Sequence, residues 1–86
     1  MKFRAEVVRW EDAVHTPDYA TADDKRVGKP YYVVSAGFAV KETARTVVLA
    51  QTVYADGTFG DFLTIPKRMI SRRRRLASVE WKEGTT

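Results

Sequence analysis

Apolar side chains recur at every second position over much of the chain, which is the spacing of β-strands. The clearest case is the alternating set Tyr32, Val34, Ala36, Phe38 and Val40. The intervening positions carry no charge either, so we expect this strand to be shielded on both faces or to bind a partner with one of them. Weaker alternation predicts four more strands. The first of the chain ends near Trp10, and the others cover about Thr46–Tyr54, Phe62–Ile65 and Ser71–Trp81.

Turn residues mark the connections. Asp56-Gly57 between two β-rich runs predicts a hairpin with a type I′ turn. Pro66 ends the fourth strand, and the following residues to Ile70 predict one helical turn with Pro66 in its first position. After strand 1, Thr16-Pro17 and Thr21–Asp24 each predict the start of a short helix, with Thr21 as the cap of the second.

These elements predict a mainly β protein, a small five-stranded barrel of the SH3-like or Sm-like kind. The barrel would carry a short helix after strand 1 and a one-turn helix before the last strand. Residues 1–82 form one domain, and residues 83–86 form a frayed end. Barrels of this kind hide their edge strands, and the core of so short a chain is small, so we expect a homo-oligomer.

Composition narrows the class of protein. The chain has 86 residues and no cysteine, which excludes disulfides, thiolate nucleophiles and cysteine-based metal centres. It has no apolar run long enough to span a membrane, and its first ten residues lack the apolar segment of a signal peptide. We therefore expect a cytoplasmic protein without membrane contacts.

Charge is unevenly distributed along the chain. Six basic residues and no acid lie between Lys67 and Arg75, whereas five acids and no lysine or arginine lie between Glu11 and Asp24. The net charge is +4. A basic patch favours partners that carry phosphate, although the two regions can also offset each other, for example across a subunit contact.

The arginine run Arg72–Arg75 falls within the last predicted strand. Because side chains alternate faces in a strand, Arg72 and Arg74 should lie on one face and Arg73 and Arg75 on the other. The apolar face changes parity between Leu76 and Ala77, which predicts a bulge or bend there. One arginine pair must then lie towards the interior or along a seam between subunits.

Two roles for this run remain open. It can bind phosphates, since guanidinium groups match phosphate oxygens, with an aromatic ring such as Tyr31, Tyr19 or Trp10 to stack bases. Alternatively, it pairs with the acids of Glu11–Asp24 or protects a sheet edge. The predicted ligand-binding residues are Lys67, Arg68, Arg72, Arg73, Arg74, Arg75 and Tyr31.

The sequence offers little chemistry for catalysis. His15 is the only histidine, no serine lies in a nucleophile-elbow pattern, and no glycine-rich phosphate loop is present. The acids between Glu11 and Asp24 match a solvated helix start better than a Mg²⁺ site. We expect no enzyme activity, no metal and no cofactor.

Several short motifs resemble a group of uncharacterised phage and prophage proteins. The matching pieces are Arg9–Asp12, Ala36–Val40, Val48–Gln51, Gly60–Lys67 and Ile70–Leu76, and the resemblance spans roughly residues 7–76. It implies a phage origin, and therefore the cytoplasm of a host cell, and hardly any function. An apolar residue often stands in that group at the position of Arg73, which puts the register of the predicted barrel in doubt.

Two functional hypotheses follow. In the first, a phage-type small β-barrel binds a phosphate-bearing ligand, either single-stranded nucleic acid or a nucleotide, and one variant sequesters a nucleotide signal of host defence. In the second, the chain is a protein-interaction module that docks on a host or phage protein. Its interface would then be the uncharged strand Tyr31–Ala39, and the arginines would steer the encounter.

Overall fold

The computed structural model describes residues 2–13 and 19–80. In this part of the chain, five antiparallel strands form one sheet in the order β4-β3-β2-β1-β5. The fold is therefore mainly β, as the alternation predicts. The strands are β1 (Lys2–Asp12), β2 (Tyr31–Glu42), β3 (Thr46–Val53), β4 (Phe59–Pro66) and β5 (Ile70–Glu80).

The sheet is not closed into the predicted barrel. β4 and β5 lie at opposite ends of the strand order, and within the described residues no ladder joins them. The two strands are consecutive in sequence but pair with different strands. β4 pairs with β3 along its length, whereas β5 pairs with β1 from one end to the other.

The main core cluster is small and lies on one face of the sheet, whereas the buried Ala50, which follows Leu49 in β3, faces the other side. Four fully buried side chains, Val8, Val47, Leu49 and Ile65, pack together, and Trp10, Ala39, Leu63 and Ile70 pack against them. This face contains the even-numbered residues of β1, because Val8 and Trp10 both lie on it. The Trp10 indole N–H donates a hydrogen bond to Ser35 Oγ at 3.0 Å, which satisfies its polar atom beside the core.

The helix predicted to start at Thr21 is not observed. Residues Thr21–Gly28 form successive turns, in which the Asp24 N–H bonds to the Thr21 carbonyl and the Val27 N–H to the Asp24 carbonyl. The Thr21 hydroxyl donates to the Asp23 carboxylate instead of capping a helix. The predicted start at Thr16-Pro17 lies outside the described residues, as do Trp81, Lys82 and the end 83–86.

Between β4 and β5 the chain makes a single 3₁₀ turn, Lys67–Met69, where the sequence predicts one helical turn that begins at Pro66. Pro66 precedes this turn in an extended conformation with φ −62° and ψ 130°, so it does not occupy the first helical position. Three residues are too few for an α-helical i→i+4 bond, and the Ile70 N–H closes the turn on the Lys67 carbonyl.

The β3–β4 hairpin is present, but its turn is not the predicted type I′. Gly57 has φ 87°, whereas Asp56 keeps a negative φ. The Gly57 N–H bonds to the Tyr54 carbonyl, and the Tyr54 N–H bonds to the Thr58 carbonyl. This pattern is a three-residue connection with glycine in the left-handed position. The Asp56 carboxylate accepts hydrogen bonds from the Thr58 N–H and hydroxyl, which stabilise it.

The predicted bulge in the last strand is observed. Ala77 pairs with Ala5 and Arg75 with the next residue, Glu6, so Leu76 is the extra residue of β5. The β1–β5 pairing has a second extra residue at Ser71, and the β2–β3 pairing has one at Val40. Each extra residue changes which side chains face the core, and together these bulges decide where the arginines lie.

No helix in the described part of the chain has the length and apolarity needed to cross a membrane.

Candidate nucleic-acid interface

Three arginines lie on the sheet face opposite the core. Arg9 of β1 stands directly across from Arg72 of β5, and the next residue of this face on β1, Val7, stands across from Arg74. Because Val8 and Trp10 face the core, strand alternation places Arg9, Arg72 and Arg74 together on the other face. We call this set the outer arginines.

The outer arginines have no acidic partner among the described residues. None of them has a carboxylate oxygen within 4.0 Å. Like charges on residues that stand directly opposite each other in an antiparallel pair are destabilising. The Arg9–Arg72 pair therefore concentrates positive charge with no carboxylate at ion-pair distance among the described residues. One acid, Glu11, lies on the same face of β1, two positions from Arg9 and opposite Tyr32.

An aromatic ring lies beside this charge. The Arg9 guanidinium carbon lies 4.2 Å from the centroid of the Tyr32 ring, within the range of a cation–π contact. Tyr32 and the neighbouring Val34 are 46% and 66% exposed. The outer face of β1, β2 and β5 thus combines guanidinium groups with an accessible aromatic ring.

Arg73 points the other way and is held by carboxylates. Its Nη2 lies 3.0 Å from Glu6 Oε1 and 2.9 Å from Glu42 Oε1, and it donates hydrogen bonds to both groups. Arg4 Nε lies 3.4 Å from the other Glu6 oxygen, and Lys67 Nζ lies 2.8 Å from Glu42. We call these five residues the ion cluster.

Burial makes the ion cluster a structural feature. Glu6 is only 5% exposed, and a buried carboxylate needs charged partners to remain in the fold. Hydrogen bonds from Arg73 and Lys67 lower the pKa of Glu42 from 4.5 to about 2. The same contact with Glu42 raises the pKa of Arg73. Both groups therefore stay charged over the physiological pH range.

The seven predicted ligand residues therefore do not form one site. Arg72 and Arg74 are outer arginines, whereas Arg73 and Lys67 are taken up by the ion cluster. Arg75 is exposed but pairs with Glu6 in register, so it lies on the same face as Arg73. The predicted partners of the run, the acids of Glu11–Asp24, form no ion pair with it among the described residues.

Arg68 lines a separate open cleft of about 630 Å³ where the β2–β3 turn meets the end of β4. Arg45 and Lys67 also line it, so the cleft is basic, although Lys67 is bound to Glu42.

Tyr31 lies on the opposite face from the outer arginines. Its register partner is Asp12, and Asp12 lies on the same face of β1 as Trp10. The structure therefore does not bring Tyr31 to Arg72 and Arg74.

Sequence reasoning missed Arg9 and Tyr32. Both are separated from the arginine run by at least 40 positions, so only the strand register brings them to it. The alternation in β2 does place Tyr32 and Tyr31 on opposite faces, but without the β1–β2 pairing nothing indicates which of the two shares a face with Arg72. Trp10, another aromatic residue considered for stacking, faces the core side instead.

The described residues contain no cluster of three or more acidic or histidine side chains that could hold a metal ion.

No protein-family model matches the chain, and neither the curated proteins nor the solved structures contain a match.

Proposed function

We propose that the chain binds single-stranded nucleic acid, without catalysis, on the outer face of β1, β2 and β5. The observation that carries the proposal is the cross-strand pair Arg9–Arg72 beside the exposed Tyr32 ring, with no acidic partner among the described residues. A sheet gains nothing in stability from two arginines placed opposite each other. A bound phosphate would relieve their repulsion and accept hydrogen bonds from both guanidinium groups.

The spacing of the outer arginines fits a chain of phosphates. Arg72 and Arg74 are two residues apart on one strand, which separates their Cα atoms by about 6.6 Å. Arg9 stands beside Arg72 on the neighbouring strand. Three guanidinium groups in this arrangement present a short track of positive charge along the sheet instead of a single charged point.

Tyr32 and Arg9 supply a surface for a base. Bases in single strands stack on aromatic rings and on guanidinium planes. The Arg9 group already lies over the Tyr32 ring, so a base can extend that stack while its phosphate contacts Arg72. Double-stranded nucleic acid hides its base faces and does not use this contact, which is why we propose single strands.

A free nucleotide fits this face less well. Nucleotide sites are concave and bury most of the ligand, whereas Tyr32, Val34 and the outer arginines stand on an exposed sheet face. We therefore favour a polymer that gains affinity from repeated contacts along the face.

The test is binding of a fluorescently labelled oligothymidylate, measured by anisotropy over a range of potassium chloride concentrations. Each phosphate contact on a single strand contributes about −0.7 to the slope of log K against log salt. The double variant Arg72→Ala/Arg74→Ala should make this slope shallower by about 1.4 and weaken binding at low salt.

The matched control is Arg68→Ala/Arg75→Ala. It removes the same charge from exposed positions that do not share the outer face, so it should leave most of the affinity and the slope unchanged. Equal losses in the two variants would contradict the proposed site. Absence of oligothymidylate binding by the unmodified chain at low salt would contradict the proposed function.

A further inference from the structure

Half of β2 has a neighbour on one side only. β1 pairs with β2 from Tyr31 to Phe38, whereas β3 pairs with β2 only from Phe38 to Glu42. Among the described residues, the backbone of Tyr31–Gly37 therefore has no strand on its second side. This free segment lies in the interior of the strand order, where β2 and β3 diverge.

A side-chain hydrogen bond shows which backbone groups face the free side. Gln51 Nε2 donates to the Ala36 carbonyl at 2.6 Å, and Gln51 belongs to β3, so the Ala36 carbonyl points away from β1. Backbone groups alternate sides along a strand in an antiparallel ladder. The N–H and C=O groups of Tyr32 and Val34 therefore also point to the free side.

This free edge lacks the features that protect sheet edges. Natural edges carry charges, prolines or bulges that prevent pairing with another chain. β5 has its four arginines, and β4 has Pro66 and the positive φ of Asp61. By contrast, the stretch Tyr31–Val40 contains no charged residue or proline, and Tyr31, Tyr32 and Val34 are 59%, 46% and 66% exposed.

We propose that a second copy of the chain pairs antiparallel with this edge, with Val33 at the two-fold axis. In this register, Tyr32 of each copy stands opposite Val34 of the other. Both residues direct their N–H and C=O groups to the free side, so the two pairs form four backbone hydrogen bonds. A register centred on Val34 would instead need the Ala36 carbonyl, which Gln51 already occupies.

Self-complementarity argues for a second copy as the occupant. A two-fold interface places the same surface on both sides, and the uncharged stretch brings no like charges into contact with itself. On the outer face, Tyr32 of one copy would cover Val34 of the other. The two β1 strands would lie about 14 Å apart, three strand spacings, so the repulsion between the two sets of outer arginines is largely screened at physiological salt.

The first test is sedimentation equilibrium over a range of protein concentrations. The unmodified chain should dimerise, and Val34→Lys should shift it to monomer because it places a charge on the edge. Val27→Lys is the control, since Val27 is 40% exposed but lies in the turns before β2, and this variant should dimerise normally. A chain that stays monomeric up to its solubility limit, or a dimer unaffected by Val34→Lys, would overturn the proposal.

The second test fixes the register by disulfide crosslinking in a chain that has no cysteine of its own. Val33 of the two copies would form a non-hydrogen-bonded pair with Cα atoms about 4.5 Å apart, within the range of a disulfide. Val33→Cys should therefore crosslink rapidly on mild oxidation. Tyr31→Cys should not, since its two copies would lie about 13 Å apart along the strands.

Equal crosslinking rates for the two cysteine variants, or crosslinking of Tyr31→Cys alone, would contradict the register. Neither test involves nucleic acid, and the proposed dimer does not rest on the proposed function. A monomeric chain that binds oligothymidylate and a dimer that does not bind it are therefore distinguishable outcomes.

Discussion

At the scale of the residue, neighbouring arginines in one strand have unrelated tasks. Arg73 holds the buried Glu6 and the half-exposed Glu42, whereas Arg72 and Arg74 lie on the opposite face and have no acidic partner among the described residues. Strand alternation predicts this division. It does not predict the acids, because Glu6 and Glu42 lie 67 and 31 positions from Arg73 and only the β1–β2–β5 register brings them together.

Replacement of Arg73 should destabilise the fold. Arg73→Ala leaves the Glu6 carboxylate buried with Arg4 as its remaining partner, and we expect a loss of about 2–3 kcal/mol in the free energy of unfolding. Urea denaturation monitored by tryptophan fluorescence measures it. Arg75→Ala, the control from the same strand, should change the free energy by less than about 0.5 kcal/mol. Equal effects of the two variants would contradict the structural role of the ion cluster.

The ion cluster should also make stability depend on pH through Glu42. Its pKa is about 2 in the folded chain and 4.5 ordinarily, so the folded state favours the carboxylate. The resulting stabilisation is complete above pH 4.5 and is lost as the pH falls towards 2. The urea midpoint of the unmodified chain should exceed that of Glu42→Gln at pH 6, and the difference should shrink below pH 4.5. A difference that stays constant down to pH 2 would contradict the assignment.

At the scale of the element, bulges determine which side chains of a strand share a face. The parity change between Leu76 and Ala77 predicts the β5 bulge, and the structure confirms it. The prediction of a helix starting at Thr21 was wrong for a local reason. In the segment Thr21–Gly28, short polar side chains bond to nearby groups, as in the contact between Thr21 and Asp23, and such bonds favour turns over a helix.

At Gly37, where β2 and β3 begin to diverge, the two backbones lie close together because glycine has no side chain. A Cβ atom at this position would lie 2.8 Å from the Ala50 carbonyl oxygen and 3.2 Å from Gln51 Nε2. We therefore expect Gly37→Ala to lower the free energy of unfolding by about 1–3 kcal/mol, measured by urea denaturation. Val34→Ala, on the same strand but exposed, should cost less than about 1 kcal/mol. A Gly37→Ala variant as stable as the unmodified chain would contradict the close packing.

At the scale of the whole molecule, strand number and strand type follow from the sequence, but closure does not. Each strand is specified by alternation and by local turn residues, whereas closure depends on how far the edges β4 and β5 curve towards each other. No short stretch encodes that curvature. The same limit applies to the candidate site, because Arg9, Tyr32 and Arg72 come from three strands and meet only once the sheet order is known.

Binding of oligothymidylate to the outer face can be mapped by NMR, using backbone amide shifts of the ¹⁵N-labelled chain. We expect the largest shifts at Val7–Arg9 of β1, Tyr32–Val34 of β2 and Arg72–Arg74 of β5, with little change around Arg45 and Arg68. Shifts concentrated on the cleft of Arg45 and Arg68, or no shifts at an excess of oligothymidylate in low salt, would contradict binding on the outer face.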